Sequence, residues 1–398
     1  MAKKLNYSLK KDNLDVVVET ITHLISIIIK SLKRFVKKNT VCVIALCAAL
    51  LTSFIIKPDR AYLNYFDLRT LTTLFISLAV ICALNNIHFF DIISQKIVYL
   101  FKTTRSAIIA LIYITFIGSM FIANDMALIT FLPLGFYLLV NTKQEKYMAF
   151  VFIMQNIAAN LGGMLTPFGN PQNLYLYSYF NINSLEFMGI MFIPFIVSIT
   201  LITICALFIS NKELTLTNDV QEKLDVKKTI LYLILFSFTL IIIFRVVHYL
   251  WGLILIPIIL LIVDKKALKN VDYPLLITFA AFFVFSGNVA RMDAVREVVS
   301  NWLNESTLLV GVLSCQVISN VPTAILLSHF TNNYRELLVA VNIGGTGTLI
   351  ASLASLITYR TYVHYNPNKQ MYYLKMFSGF NFSFLAILIL LSYFIFSL

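Results

Sequence analysis

Small polar residues that can bind ions recur at four places in this otherwise apolar chain. An Asn-Asp pair stands at 124–125, and a Ser-Asn pair stands at 319–320. Each pair is followed by a glycine-rich stretch, NLGGMLTPFGNPQN at 160–173 and NIGGTGTLIASLAS at 342–355. Amide, hydroxyl, carboxylate and backbone carbonyl oxygens suit a hard cation, and a helix N-terminus suits an anion. These residue types therefore predict sites for small ions.

The two glycine-rich stretches align with each other without a gap. The aligned pairs are Asn160 with Asn342, Gly162 with Gly344, Gly163 with Gly345, Thr166 with Thr348 and Asn173 with Ser355. A polar pair precedes the stretch in both halves, so the order of features is repeated as well. The pattern predicts, twice, a helical hairpin with an asparagine at its tip, followed by a helix broken at Asn-x-Gly-Gly. The simpler alternative is that two glycine-rich kinks allow close helix packing.

The composition places these features in a membrane. Of the 398 residues, 59% are hydrophobic and 13% are charged, whereas a soluble domain is nearer half apolar and a quarter charged. The apolar residues form blocks, such as the one at 187–210, that reach the roughly 20 residues a helix needs to cross a bilayer. The expected fold class is an all-α polytopic membrane protein. A strand barrel is excluded, because its apolar residues would alternate with polar ones.

The distribution of basic residues predicts which segments lie inside. Alternating spans place 24 of the 31 lysines and arginines on the cytoplasmic side and 7 outside, as the positive-inside rule requires. The formal net charge of +12 is thereby explained by topology, and no nucleic-acid partner is expected. The hairpin at 106–140 then opens inward and the hairpin at 306–330 opens outward, which makes the two repeats inverted. The expected location is the cell membrane, with most of the N-terminus and the linker in the cytoplasm.

This topology divides the chain into six parts. They are an N-terminal cytoplasmic or amphipathic segment (1–39), the scaffold part and arm helix of repeat 1 (40–105), the hairpin-bearing transport part of repeat 1 (106–210), a cytoplasmic linker (211–228), the scaffold part and arm helix of repeat 2 (229–305), and the hairpin-bearing transport part of repeat 2 (306–398). Residues 14–36 have one apolar helical face, which indicates a helix lying on the membrane or, alternatively, a packed span.

Inverted repeats with broken helices are the architecture of many secondary transporters, whose substrate and ion sites lie near the midplane at the breaks. The candidate substrate-binding residues are Asn124, Thr166, Asn170, Asn173, Ser319, Asn320, Thr323, Thr348, Ser352 and Ser355. The candidates for cation or proton coupling are Asn124, Asp125, Asn160, Gly162, Gly163, Ser319, Asn320, Asn342, Gly344 and Gly345. Na⁺ could bind at these same positions, and no other cofactor is expected.

Asp125 is the one acidic residue placed deep in a membrane segment. An intramembrane carboxylate is costly, so it is a functional candidate by default, either as a cation ligand or as a proton carrier. The alternative is that Asp125 caps a helix starting at Met126, and the two roles can coexist.

An enzyme is not expected from this sequence. The five histidines are scattered, and no nucleophile with a base, two-histidine metal spacing or paired intramembrane carboxylate appears.

Three motifs resemble the ion transporter superfamily. SNVP at 319–322 and GNPQN at 169–173 are similar to the hairpin tips and helix breaks of divalent-anion/sodium symporters. ANDMALITFLP at 123–133 resembles the Asn-Asp tip of arsenite efflux permeases and of bacterial citrate-transporter-like anion permeases. The similarity spans about 40–398 and includes both halves of the chain.

The resemblance implies an elevator mechanism in a homodimer. A scaffold (about 40–84 and 229–289) would hold a transport part (about 106–210 and 306–398) that carries substrate across. By the same resemblance, one cation site falls at Asn124, Asp125, Gly162 and Gly163, a second falls at Ser319, Asn320, Gly344 and Gly345, and substrate contacts the tips and Asn173. The tips read Ala-Asn-Asp and Ser-Asn-Val here, and the second break lacks Gly-x-Pro-x-Asn. These departures favour proton coupling or a single cation site.

Together these features favour a secondary active transporter that moves a small anion, either a carboxylate or an inorganic oxyanion, with Na⁺ or H⁺. Within transport, the alternatives are a Na⁺/H⁺ antiporter and an arsenite-type efflux permease. From another class, the alternative is a passive anion channel. The expected partners are a small anionic substrate, a coupling cation, membrane lipid and a second copy of the chain.

Overall fold

The computed structural model describes residues 39–213 and 224–397, together with residues 30 and 36. The described backbone is helical throughout its ordered elements, with one isolated antiparallel bridge between Thr103 and Glu213. The all-α prediction is therefore confirmed for the described part of the chain. The amphipathic helix predicted at 14–36 and the middle of the predicted linker lie outside the described residues.

The first half of the described chain contains eight α-helices. They are α1 (Thr40–Ile55), α2 (Leu68–Asn86), α3 (Phe89–Tyr99), α4 (Thr104–Gly118), α5 (Asn124–Asn141), α6 (Met148–Gly162), α7 (Pro171–Tyr179) and α8 (Ser184–Leu207). Short 3₁₀ turns lie at Arg60–Tyr65, Glu145–Tyr147 and Gly163–Leu165.

The second half of the described chain contains ten α-helices. They are α9 (Val226–Ile243), α10 (Tyr249–Val263), α11 (Lys265–Lys269), α12 (Tyr273–Ala290), α13 (Asp293–Glu305), α14 (Thr307–Ile318), α15 (Asn320–Leu327), α16 (Tyr334–Ile343), α17 (Leu353–Tyr365) and α18 (Gln370–Ser397). A 3₁₀ turn at Pro367–Lys369 separates the last two helices.

Seven of the described helices are long and apolar enough to cross a bilayer, and four shorter helices are also apolar. Large apolar side chains cover their outer surfaces, and Phe208 and Ile262 are 86% and 78% exposed. An exposed apolar surface of this extent fits a lipid environment rather than water. The chain is therefore a polytopic membrane protein.

Polar side chains fix the starts of several spans. Asp67 accepts a hydrogen bond from the backbone N–H of Thr70 at the start of α2, and Ser306 accepts one from Leu309 at the start of α14. Such caps satisfy N–H groups that have no partner inside the helix. The local sequence thus specifies where these helices begin.

Helices α17 and α18 extend past charged residues at the ends of their apolar segments. Helix α17 continues beyond Arg360 to Tyr365, and α18 begins at Gln370, ahead of Lys375. A helix continues past charged residues when no breaker intervenes. Pro367 is the breaker between these two helices, because it has no N–H to donate.

Both predicted hairpins and both predicted helix breaks are present. Helices α4 and α5 turn at residues 119–123, and helices α14 and α15 turn at Ser319. Helix α6 ends at Gly162 before α7 begins, and α16 ends at Ile343 before α17 begins. The helices thus follow one another in the same order in the two halves. That the halves are repeats, and that they have opposite orientations in the membrane, stay predictions.

An exposed ion pair ties the loop after α1 to the end of α12. The Arg291 guanidinium donates to both carboxylate oxygens of Asp59, at 2.7 and 3.2 Å, and to the Tyr65 hydroxyl at 2.9 Å. The hydrogen bonds from Arg291 lower the pKa of Asp59 below its usual range. These contacts join α1 and α12, which pack against each other along their length.

Candidate ion and substrate site

A cavity of about 340 Å³ lies between helices α1 and α12 on one side and the hairpin tips and helix breaks on the other. Its first wall is mostly apolar, with Ile44, Phe282 and Phe285 as examples. Its second wall carries polar side chains, namely Asn124, Asp125, Gln172, Ser319, Asn320 and Ser352. The two hairpin tips therefore face one common space.

Four helices begin at this cavity. Helices α5, α7, α15 and α17 start at Asn124, Pro171, Asn320 and Leu353, and all four residues or their direct neighbours line the space. Each helix N-terminus carries a partial positive charge of roughly half a unit. Within the described residues, no lysine, arginine or histidine lines the cavity. The arrangement can hold an anion with backbone dipoles rather than basic side chains.

Asn160 connects the first hairpin to the second helix break. Its side-chain oxygen accepts a hydrogen bond from the Asn124 amide at 3.0 Å and another from the Ser352 hydroxyl at 2.8 Å. These groups are buried, and the residues come from distant parts of the sequence. One buried amide thus fixes the first tip relative to the start of α17.

A second set of amides joins the two breaks directly. The Asn170 amide donates to the side-chain oxygen of Asn342 at 3.1 Å, and the Asn342 amide donates to the side-chain oxygen of Asn173 at 2.6 Å. The Asn170 amide also donates to the backbone carbonyl of Asn160 at 3.1 Å. All four side chains are nearly inaccessible to solvent. The breaks are therefore interlocked as one buried polar unit.

The shape of the first break depends on Asn173. Its amide donates to the backbone carbonyls of Gly163, Met164 and Thr166 at 3.1, 3.3 and 3.2 Å. Buried carbonyls that leave a helix must find other donors, because an unpaired one is costly. A side chain at Gly163 would also approach the carbonyl oxygen of Gly169 to 2.8 Å, so glycine is required there.

Gln316 pairs with the free backbone groups of the second break in the same way. Its side-chain nitrogen donates to the carbonyls of Gly344 and Thr346 at 2.9 and 3.1 Å, and its oxygen accepts from the Thr348 N–H at 2.8 Å. Gln316 was not among the site residues predicted from the sequence, although a glutamine within the apolar helix before the second tip indicates a buried polar contact.

The second tip has a strained backbone. Ser319 has φ 75° and ψ 160°, a conformation that residues other than glycine rarely adopt. Two hydrogen bonds to the carbonyl of Ala351 hold it there, from the Ser319 hydroxyl at 3.2 Å and from the Asn320 N–H at 3.0 Å. The second tip is therefore fixed to the second break.

The two tips meet around Gly345. A side chain added there would lie 3.1 Å from the amide nitrogen of Asn320 and 3.6 Å from the side-chain oxygen of Asn160. Because Asn160 also binds Asn124, the asparagines of both tips lie close to this one glycine. Asn124 and Asn320 therefore come close together at the two hairpin tips. Their depth in the membrane stays a prediction.

Three side-chain oxygens at the site are buried without a hydrogen-bond partner among the described residues. They are Oδ1 of Asp125, Oδ1 of Asn170 and Oε1 of Gln172. Amide and carboxylate oxygens of this kind can accept a hydrogen bond or ligate a cation. Gln172 was not among the site residues predicted from the sequence, although it stands inside the GNPQN motif.

The alternative role of Asp125 as a cap for a helix starting at Met126 is wrong. Helix α5 begins two residues earlier, at Asn124, with Ala123 as its N-cap and no capping side chain. The backbone N–H of Asp125 donates instead to the side-chain oxygen of Asn124 at 2.9 Å. The carboxylate is thereby left to face the cavity.

The predicted substrate residues fall into two groups in space. Asn124, Ser319, Asn320 and Ser352 line the cavity. The others do not line the cavity and form hydrogen bonds that stabilise the hairpins and breaks. The hydroxyls of Thr166, Thr323 and Thr348 donate to the backbone carbonyls of Met120, Ser319 and Gln316. The Ser355 hydroxyl accepts from the Asn156 amide, and Asn170 and Asn173 are bonded as described above. Gly162 and Gly344 lie at helix ends in close contact with neighbouring helices.

A further contact joins the turn between α9 and α10 to the end of α7. Arg245, at φ 66°, donates to the carbonyl of Ile182 at 3.1 Å and to the carbonyl of Tyr177, and its guanidinium lies 4.2 Å from the ring centre of Tyr177. This contact connects the predicted scaffold to the predicted transport part.

A polytopic helical protein with two broken helices around a shared cavity that carries a few polar side chains has the features of a membrane transporter. The chain belongs to the citrate transporter family, whose model, described as "Citrate transporter", matches residues 24–334. The matched region includes both hairpins and the first break and ends at the start of α16. The resemblance stated from the motifs is thereby confirmed at the level of the family.

Two relatives support the same class. The chain is 34% identical over 312 residues to "Uncharacterized transporter MJ0456" of Methanocaldococcus jannaschii, which covers 78% of this chain and 85% of that protein. It is 29% identical over 276 residues to "Inner membrane protein YbiR" of Escherichia coli K12, which covers 68% of this chain and 74% of that protein. The protein is a membrane transporter.

Proposed function

We propose that the protein is a secondary active transporter that moves a small anion, a carboxylate or an inorganic oxyanion, coupled to Na⁺ or H⁺. The observation that carries this proposal is the convergence of four helix N-termini on one cavity whose described lining has no basic side chain. Helix dipoles attract an anion without binding it as tightly as a buried arginine would, so the anion can also leave. The side-chain amides of Asn124 and Asn320 would donate the orienting hydrogen bonds, because the single hydroxyl protons of Ser319 and Ser352 are already donated to Ala351 and Asn160.

The coupling cation is assigned to the oxygens beside the anion. Asp125 and Gln172 have buried oxygens that no described residue satisfies, and Asn170 has a third just behind them. Carboxylate and carbonyl oxygens suit Na⁺, and a carboxylate can alternatively carry a proton. The second locus predicted at Ser319, Asn320, Gly344 and Gly345 would serve a second cation. A cation beside the anion explains coupling, because each charge lowers the cost of bringing the other into the bilayer.

The movement is proposed to be an elevator between two parts of the chain. The wall formed by α1 and α12 is mostly apolar. The opposite wall belongs to a polar unit in which the asparagines of the two breaks are hydrogen-bonded to each other. Such a polar unit can slide as one body past an apolar surface. We assign α1, α2, α9, α10 and α12 to the scaffold of a homodimer, and the hairpins and broken helices to the transport part.

The size of the cavity limits the substrate. At about 340 Å³ it is near the lower end of ligand pockets, which range from about 300 to 1,000 Å³. The family model is described as "Citrate transporter", so citrate is the first anion to test, followed by smaller carboxylates and inorganic oxyanions.

Transport into proteoliposomes tests this proposal. Anions are first ranked by the thermal stabilisation that they give the purified protein with and without Na⁺, since a ligand of the folded state raises its apparent stability. The best anion is then offered to proteoliposomes with an imposed Na⁺ or proton gradient. We expect accumulation above equilibrium that collapses with the gradient. Anion flux that only follows its own gradient would instead indicate a passive channel, and cation exchange without any anion would indicate a Na⁺/H⁺ antiporter.

A further inference from the structure

An apolar crevice of about 690 Å³ lies outside the proposed transport site, between the first hairpin and helices α2, α3 and α9. Phe90, Ala110, Phe131 and Phe236 represent the helices that line it. Of the described residues, none lines both this crevice and the site cavity. Its apolar lining cannot orient a small anion, so it requires an apolar occupant.

The crevice has the length of one membrane leaflet. It follows α4 from Ser106 to Gly118, which spans about 18 Å at 1.5 Å per residue. One leaflet contributes about 15 Å of the hydrocarbon thickness. The rim is open to the surface, where Ile117 is 50% exposed and Phe121 is 43% exposed. An acyl chain could therefore enter sideways from the bilayer.

Basic side chains surround the end of the crevice that the charge distribution places in the cytoplasm. Lys102 is exposed and follows Phe101, a lining residue, and Lys96 is exposed one helical turn after the lining residue Ile93. The neighbouring Lys212 and Glu213 add one charge of each sign. Each lysine near the membrane surface attracts anionic lipid headgroups.

We propose that this crevice binds one acyl chain of an anionic phospholipid from the cytoplasmic leaflet, with the headgroup on Lys96 and Lys102. The apolar lining, the length of one leaflet and the lysines at a single end select this occupant together. The acyl chain would fill the space between the first hairpin and α9. The proposal is independent of which anion the protein transports.

Native mass spectrometry tests the acyl-chain part of the proposal. Purified protein is offered phosphatidylglycerol or phosphatidylcholine with identical chains, and the retained lipid is counted. Ala110→Trp fills the crevice, and Ile114→Trp is a second variant at a less tightly packed lining position. We expect at least a tenfold loss of retained phosphatidylglycerol in both. Ile262→Trp, at an exposed position of α10 away from the crevice, is the matched control and should retain the lipid.

The headgroup part has its own variants. The double change Lys96→Gln and Lys102→Gln should reduce the preference for phosphatidylglycerol over phosphatidylcholine by roughly tenfold or more, since each lysine near the surface contributes about a factor of five. Lys265→Gln with Lys269→Gln removes the same charge on the same predicted side and should leave the preference intact. Equal retention of the two lipids by the wild type, or unchanged retention in both tryptophan variants that remain folded, would overturn the proposal.

Discussion

Replacing Asn342 by leucine tests whether the two helix breaks are held together by their asparagines. The substitution keeps the number and branching of side-chain heavy atoms but removes two hydrogen bonds across the breaks, one from Asn170 at 3.1 Å and one to Asn173 at 2.6 Å. The third bond of the Asn342 amide goes to the carbonyl of Leu338 in its own helix, so its loss matters less. The variant therefore isolates the contact between the two halves.

The expected loss of stability follows from those two bonds. Hydrogen bonds between membrane helices contribute about 0.6 kcal/mol on average and up to about 1.7 kcal/mol. Buried groups left without a partner cost about 1 to 3 kcal/mol each. Asn170 keeps its bond to the carbonyl of Asn160, whereas Asn173 loses the described partner of its side-chain oxygen. We expect Asn342→Leu to lower the free energy of unfolding by about 1 to 3 kcal/mol.

Unfolding in mixed detergent micelles with increasing sodium dodecyl sulfate measures this free energy. Asn381→Leu is the matched control: it removes an equally buried asparagine whose amide donates to Phe377 in its own helix and whose oxygen has no partner among the described residues. Removing such a group should be neutral or stabilising. The reasoning is refuted if Asn342→Leu is no more destabilising than Asn381→Leu.

Three further changes probe other contacts. Arg245→Gln removes the guanidinium bonds to backbone carbonyls at the end of α7, so amide hydrogen exchange there should accelerate about tenfold. The control Arg296→Gln changes an exposed arginine and should leave this exchange unchanged. Equal exchange in the two variants would contradict the contact. Because Arg291 lowers the pKa of Asp59, their pairing stabilises the protein above the usual carboxyl pKa of about 4 and is lost as the pH falls through the lowered value. Asp59→Asn should therefore flatten the fall of Tm below about pH 4, and an unchanged pH profile would count against it. Ser319→Gly should raise the free energy of unfolding by about 1 kcal/mol by relieving strain, while Ser319→Ala should lower it; the opposite order would show that the backbone is not strained.

The sequence predicted the places where helices break because the cause is local. Glycines, prolines and asparagines concentrate at 160–173 and 342–355, and the described helices end and restart there. The end of α17 and the start of α18 are harder to predict, because charged residues such as Arg360 and Lys375 can extend a helix beyond the apolar core of the membrane.

The sequence could not predict which polar side chains face the cavity. Asn173 and Gln172 are neighbours, but successive residues on a helix point about 100° apart. Gln172 lines the cavity, whereas Asn173 points into the break and binds its carbonyls. The link from Asn170 to Asn342 was equally inaccessible, because it joins residues far apart in the chain and depends on tertiary packing.

Gradient-driven uptake by Asp125→Asn is the most direct test of coupled transport at this cavity. The carboxylate has a buried oxygen without a described partner, and asparagine keeps its shape while removing its charge. Asp91→Asn changes a partly exposed aspartate of helix α3 outside the cavity and is the control with the same chemical change. We expect proteoliposomes with wild type or Asp91→Asn to accumulate the stabilising anion under a Na⁺ or proton gradient, and those with folded Asp125→Asn to show no accumulation. Wild-type accumulation by Asp125→Asn would contradict the proposed coupling site.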